Sequence, residues 1–230
     1  MFNVNQLSVS YGQSRIISDL SFSSKAEETV AIMGRNGMGK TTLMKALIGV
    51  LKADSGKVEV DGNDLSRLEA YSRVAGGIAY VPQGRQIFST LTVEENILTG
   101  LESVKGKKKI DPSIYDLFPV LKEMRKRKGG NLSGGQQQQL AIARALVSEP
   151  KVLLLDEPTE GIQPSIIKDM AKTLNEIKAA KKLTIIVSEQ VLSFALEIAD
   201  RIFVMESGQF VHEDARGEVD EAKVAKYLAV

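Results

Sequence analysis

Nine residues, "GRNGMGKTT" (34–42), place three glycines ahead of a lysine and two threonines, directly after the apolar run "TVAIM". Gly34 to Thr41 fit G-x-x-x-x-G-K-[ST] throughout. Phosphate oxygens are dense negative charge, and a glycine-rich loop can turn its N–H groups toward them because glycine tolerates the backbone angles required. The helix that follows adds its positive N-terminal end. The loop Gly34, Arg35, Asn36, Gly37, Met38, Gly39, with Lys40, Thr41 and Thr42, is therefore expected to cradle a nucleoside triphosphate. Lys40 is expected to reach the terminal phosphates and the Thr41 hydroxyl to bind Mg²⁺. The plainer reading is a glycine turn closing a strand, and the helical spacing after Lys40 argues against it. A second half of the site is expected at a carboxylate ending another buried strand, and "VLLLDEP" (152–158) supplies it. Asp156 is placed to hold Mg²⁺ through its water shell, and Glu157 to polarise a water aimed at the γ-phosphate. On its own the acidic pair would be an ordinary strand cap.

The elements that must position these groups follow from pattern. "FNVNQLSVSY" (2–11) alternates apolar and polar residues with a phase break between Val4 and Leu7, a half-buried strand with an irregularity. "TVAIM", "GKVEVDG", "GIAYVPQ", "KVLLLDEP" and "LTIIVSEQ" read as strands, the second ending in an Asp-Gly turn. "RIFVMESGQFVHE" reads as a hairpin around Ser207–Gly208. Helical spacing runs through "TTLMKALIGVL", "TVEENILTGL" with a Thr92/Glu95 capping box, and "LSFALEIAD". In "PSIIKDMAKTLNEIKAAKK", Ile166, Ile167, Met170, Leu174 and Ile177 share one face. "PSIYDLFPVLKEMRKRKGG" reads as a helix broken at Pro119 and ended by Gly129–Gly130, with "RKRK" (125–128) at its C-terminus, where cations suit the helix dipole. Continuous apolar strands alternating with helices imply an α/β fold with a mainly parallel sheet covered on both faces. Residues about 85–145 form a helical lobe within that alternation. "KGKKK" (105–109) reads as a solvated loop tip.

Composition narrows the classes. A net charge of +1 gives no argument for nucleic acid or an anionic membrane, and no nucleic-acid partner is expected. With no cysteine and one histidine, disulfides, thiolate zinc sites and His-pair metal sites are excluded. No apolar run reaches the ~18 residues of a membrane span. The N-terminus lacks a signal-peptide pattern. A cytosolic protein is expected, with any membrane role supplied through a partner.

"LSGGQQQQLAIARAL" (132–146) separates the phosphate-loop families. Locally it is a capping box, Ser133 with Gln136, opening a helix that turns Leu140, Ala143 and Leu146 inward. The box does not need Gly134 and Gly135, which leave the helix start bare to an anionic ligand. The segment resembles the signature motif of ATP-binding cassette (ABC) ATPases, and the chain is similar to that family over about residues 2–215. The resemblance implies a P-loop NTPase (RecA-like) core with an N-terminal antiparallel β subdomain and an α-helical signature lobe, as one ABC ATPase domain over 1–230 with a short tail from 215. It implies ATP and Mg²⁺ as ligands and a head-to-tail dimer in which Ser133, Gly134, Gly135 and Gln136 face the ATP of a second ATPase subunit. It also implies adenine stacking on Tyr11, where the plainer reading is a tyrosine buried at a strand end. Gln83 of "VPQ" takes the place of the glutamine that reaches Mg²⁺ and moves with the lobe.

Two positions depart from the family pattern. Gln163 stands where most members carry an aspartate, and Gln190 where a histidine contacts the γ-phosphate. Glutamine can donate a hydrogen bond to phosphate but cannot become cationic. The only histidine, His212, falls in the late hairpin and cannot fill that place on sequence order. "VSEQ" is similar to one of the two ATPases of branched-chain amino acid importers, and "YVPQGRQIFSTLTVEENI", the four glutamines and "TEGIQPSII" to the ATPase of urea importers. The resemblance implies uptake of urea, or of a branched-chain amino acid or short amide, with two permease subunits and an extracytoplasmic solute-binding protein, at the cytoplasmic face of a bacterial inner membrane. A non-transport ABC ATPase and a small-molecule kinase are the rival classes. The first would carry heptads or a second cassette, and the second has no use for the signature.

Overall fold

The computed structural model describes residues 1–228 apart from 103, 105, 107 and 108. Of the run "KGKKK", Lys105, Lys107 and Lys108 therefore lie outside the described residues.

The chain opens with the hairpin β1 (Phe2–Tyr11) and β2 (Ser14–Ser24). The phase break in the sequence is real: the register shifts between Val4 and Leu7, where Gln6 takes φ 48°. β3 (Thr29–Met33) then enters the core and leads through the phosphate loop into α1 (Lys40–Ile48). β4 (Ser55–Val60) returns to pair with β1, and β5 (Asn63–Asp64) folds back on β4 through an Asp61–Gly62 turn with both residues at positive φ. These four strands form an antiparallel sheet in the order β2-β1-β4-β5.

After α2 (Ala70–Ala75), β6 (Ile78–Val81) stops at Pro82. A helical segment follows: α3 (Val93–Thr99), α4 (Pro112–Leu117), α5 (Pro119–Glu123) and α6 (Gly134–Leu146). β7 (Val152–Asp156), α7 (Pro164–Lys181), β8 (Thr184–Glu189), α8 (Leu192–Ile198), β9 (Arg201–Glu206), β10 (Gln209–Ala215) and α9 (Glu221–Leu228) complete the described chain. The second sheet runs β10-β9-β3-β8-β7-β6, parallel except for the β9–β10 hairpin.

β3 shows why its sequence has no polar face. Ala31 and Met33 pack with α6, α7 and α8, while Val30 and Ile32 pack with α1 and the antiparallel sheet. All five residues of β3 are buried. A strand covered on both sides has no use for alternation. The capping box of Thr92 and Glu95 is present, with reciprocal bonds of 3.2 and 2.7 Å.

One expectation fails. The helix broken at Pro119 does not run to Gly129; α5 ends at Glu123. "RKRK" is not its C-terminus but a backbone strap across the start of α3. The Val93 and Glu94 N–H groups donate to the Arg127 and Arg125 carbonyls at 2.9 and 3.0 Å. Those are among the first, orphan donors of α3, and satisfying them outweighs another turn of α5. Gly129 is there for close packing: a Cβ would sit 3.1 Å from Ile87 Cδ1 and from the Phe88 carbonyl oxygen.

Candidate functional site

The phosphate loop is held by contacts with the β9–β10 hairpin. Gly34 passes the β9–β10 hairpin so closely that a Cβ would lie 2.6 Å from the Met205 carbonyl oxygen. Gly39 has φ 104° and caps α1 without a side-chain hydrogen bond, so the first N–H groups of that helix carry no side-chain cap. The Gly208 N–H donates to the Met38 carbonyl at 3.0 Å, and Arg35 approaches Glu206 at 4.0 Å. Close approach to the hairpin is thus a reason for glycine at position 34 that the sequence did not disclose.

Lys40 is buried, with 3% exposure, and its ammonium donates to the carbonyls of Gly34 and Arg35 at 2.7 and 2.9 Å. Its third partner is Glu157 at 3.0 Å. The loop thus curls around its own lysine and aims the charge into the site. Thr41 Oγ1 donates to Asp156 Oδ1 at 3.2 Å. Asp156, at the end of β7, also accepts from Ser188 Oγ at 2.6 Å and Tyr80 Oη at 3.1 Å. Burial pushes the Asp156 carboxyl above the usual range, against these three hydroxyls, and the neighbouring Glu157 pushes the same way. Burial, and next the Asp156 charge, push the Tyr80 phenol strongly up, so it stays a hydrogen-bond donor.

Glu157 takes φ 45°, a left-handed conformation that costs a non-glycine residue strain. Its N–H is held by the Ser188 carbonyl at 3.0 Å. The carboxylate accepts from Gln83 Nε2 at 3.3 Å and Gln190 Nε2 at 3.0 Å, besides Lys40. Gln190 also donates to Asn36 Oδ1 at 2.8 Å, closing the ring back to the phosphate loop. Asn36, Gly37, residues 39–42, Gln83, Glu157 and Ile16 together line a cleft of about 290 Å³.

The structure brings together Asn36, Lys40, Thr41, Gln83, Asp156, Glu157 and Gln190, and leaves two expected groups apart. Tyr11 is 49% exposed at the turn of the first hairpin, paired with Ser14, and does not line the cleft; Ile16 on β2 does. Tyr11 is thus not a tyrosine buried at a strand end. The segment Ser133, Gly134, Gly135 and Gln136 opens α6 outside the cleft. Ser133 Oγ accepts from Gln136 N–H at 3.4 Å, and Gln136 Oε1 accepts from Ser133 N–H at 3.0 Å. Its helix start is less bare than the glycines suggest: a Cβ on Gly135 would meet Ile166 Cγ2 at 2.7 Å, and one on Gly134 would meet Arg85 Nη1 at 3.2 Å. Gln163 is exposed at the N-cap of α7. His212 lies on β10, bonded to Asp214 at 2.7 Å and stacked on Tyr227.

Sequence reasoning missed Tyr80, Ser188 and Glu189. All three sit in apolar-looking strands, and only the fold shows that Tyr80 and Ser188 reach Asp156 while Glu189 reaches Thr159. Among the described residues no cluster of three His, Cys, Asp or Glu side chains could hold a metal. A divalent cation here would draw on Thr41, Gln83 and Asp156 with ligand oxygens and water, a sparse oxygen set that suits Mg²⁺.

A phosphate loop feeding a helix, an acid pair at the end of a strand two places away in the same sheet and a separate glycine-bearing helix start are the parts of a nucleotide-hydrolysing cassette. Comparison with known proteins agrees. The ABC transporter family matches residues 17–160. The chain is 39% identical over 216 residues to the high-affinity branched-chain amino acid transport ATP-binding protein BraG of Pseudomonas aeruginosa, covering 93% of this chain and 92% of that one. It is 36% identical to the probable branched-chain amino acid transport ATP-binding protein LivF of Archaeoglobus fulgidus, covering 96% and 94%. A solved ATP-binding cassette of an ABC transporter superposes with a TM-score of 0.86 at 29% identity, covering 100% of this chain and 99% of the other. The chain belongs to the ABC transporter family. Within it, it is an ATP-binding subunit, an ATPase whose hydrolysis is coupled to transport.

Proposed function

We propose that the chain energises an importer of branched-chain amino acids or a related small polar solute, acting at the cytoplasmic face of a bacterial inner membrane. The two relatives, both branched-chain amino acid transport proteins by name, support the amino acid. Urea rests on the resemblance of "YVPQGRQIFSTLTVEENI", the four glutamines and "TEGIQPSII", the last two above all, and neither relative named above is a urea transport protein. No helix among the described residues is long and apolar enough to cross a membrane, so attachment falls to permease subunits.

One observation carries the mechanism: Lys40 and Thr41 at the start of α1 meet Glu157 and Asp156 at the end of β7 at 3.0 and 3.2 Å. Lys40 and the loop N–H groups of Gly34 to Thr42 bind the triphosphate. The ammonium now shared by two carbonyls and Glu157 turns to the phosphate, which offers more charge. Thr41, Gln83 and Asp156 would hold Mg²⁺, which when bound neutralises charge building on the phosphate oxygens. Glu157, released by Lys40, orients the attacking water and accepts its proton. Gln190 donates to the γ-phosphate from the neutral amide that now touches Glu157 and Asn36. Tyr11, exposed on the first hairpin, is left free to stack on adenine. Ser133, Gly134, Gly135 and Gln136 close over ATP held by a second ATPase subunit, whose own signature closes over this one. ATP is then a clamp whose higher affinity for the closed pair drives the permease.

The test is reconstitution with the permeases that co-purify from solubilised membranes and their solute-binding protein. Hydrolysis stimulated by binding protein loaded with leucine or isoleucine supports the amino acid importer. Stimulation by urea alone replaces the solute, and co-purification of ribosomes or no partner removes the transport role. Glu157→Gln should lower turnover by roughly 10²–10³-fold with ATP affinity kept, within the usual range for loss of a general base; full turnover would remove its role.

A further inference from the structure

Glu189 has no part in the mechanism above, yet it is one of the most deeply buried carboxylates in the molecule, with 2% exposure. A buried carboxylate needs partners, and the four hydrogen bonds it accepts divide evenly between its two oxygens. Oε1 accepts from the N–H of Thr159 at 3.0 Å and from the Thr159 hydroxyl. Oε2 accepts from the N–H of Gln190 at 2.7 Å and of Val191 at 3.0 Å. All four are neutral N–H or O–H groups. One oxygen grips the loop two residues after Glu157, and the other grips the turn that carries Gln190.

We propose that Glu189 is a positioning residue for hydrolysis: its carboxylate clasps the Thr159 loop to the Gln190 turn and so sets the contact between Gln190 and Glu157. This rests on the hydrolytic roles proposed above for those two residues. Two features make the clasp necessary. Glu157 stands at φ 45°, so the loop that follows it must be held against relaxation. Gln190 must divide its amide between Glu157 and Asn36, which its long, rotatable side chain does only if its backbone is fixed. A buried acceptor serving only the turn ahead of α8 would account for the Gln190 and Val191 bonds, but not for Thr159, which belongs to a different connection.

Glu189→Gln keeps the shape but replaces one oxygen by an NH₂ group, so either Thr159 or Gln190 and Val191 then meet a donor instead of an acceptor. Misplacement of reacting groups by a fraction of an ångström lowers turnover more than binding. In the purified full chain, Glu189→Gln should lower kcat about tenfold and leave KM for ATP and the affinity for a fluorescent ATP analogue within about twofold. The discriminating measurement is a double-mutant cycle with Gln190→Ala. If Glu189 works through Gln190, adding Glu189→Gln to Gln190→Ala should cost less than about twofold. A full tenfold loss in that background, or unchanged kcat in the single variant, would overturn the proposal. Should Glu189→Gln not fold, Thr159→Val removes one donor from the clasp; a kcat drop at constant KM, restored in Thr159→Ser, supports it, and wild-type kcat sinks it. Full turnover in Glu157→Gln would instead sink the hydrolytic reading itself. An inactive Glu157→Gln with additive effects at 189 and 190 would sink the clasp alone.

Discussion

Two helices in this chain begin at glycine, and they begin differently. α1 starts at Gly39 in a left-handed conformation with no side-chain cap, buried beneath a loop that wraps its own lysine. α6 starts behind Ser133, whose hydroxyl and the Gln136 amide close a capping box, on the exposed side of the lobe. The first helix keeps its N–H groups for a ligand and gains fold stability from the sheet around it. The second satisfies itself locally and can wait in water. One leaves its first N–H groups without a side-chain cap, the other closes its own capping box.

The comparison breaks most directly at Lys40. If α1 alone holds the triphosphate in the isolated chain, Lys40→Ala should weaken ATP binding about 100-fold, the loss of one or two charged hydrogen bonds. Calorimetry or a fluorescent nucleotide would measure it, and unchanged affinity would dissolve the contrast. Gly39→Ala should cost roughly 1–2 kcal/mol for a left-handed alanine, with its Cβ also 3.2 Å from Met205 Cε. Gly134→Ala meets only the movable end of Arg85 and should stay within about 0.5 kcal/mol. Equal melting shifts for the two would contradict the difference in backbone. Ser133→Ala should remove about 1 kcal/mol of helix capping. ATP binding by the isolated chain should persist while cooperative hydrolysis falls; a lost affinity would place the signature in the chain's own site. The smallest effect is expected from Gln190→His. A protonated imidazole adds charge at the γ-phosphate, so hydrolysis should rise a few-fold below about pH 6.5 and revert above it. A gain independent of pH would show that shape, and not charge, limits the native amide.

Which parts were legible follows the same division. Local signals carried far: the Gln6 irregularity, both capping boxes and the Asp61–Gly62 turn each depend on neighbours within a few residues. "RKRK" did not, because its partners Val93 and Glu94 lie some thirty positions away and are met through backbone. Lys40, Thr41 and Asp156 were readable because phosphate chemistry restricts residue type and spacing. Tyr80 and Ser188 were not, since a tyrosine or serine in a buried strand gives no sign of what lies across the sheet. Glu189 was hidden by the residue beside it, whose departure from the family pattern drew the attention. The two reasons for glycine at position 34, ligand and hairpin, give one letter.

The order β3-β8-β7-β6 puts the phosphate loop, Gln190, the acid pair and Gln83 on four consecutive strands. Their separation is therefore ruled by sheet spacing, three steps of about 4.8 Å, and not by loop length. Sliding β7 by a single residue against β8 would carry Asp156 about 3.3 Å along the strand, farther than the 2.6 Å that joins it to Ser188. The width of the cleft is thus a measurement made by the backbone ladder, and side chains can be exchanged within it without changing the gauge.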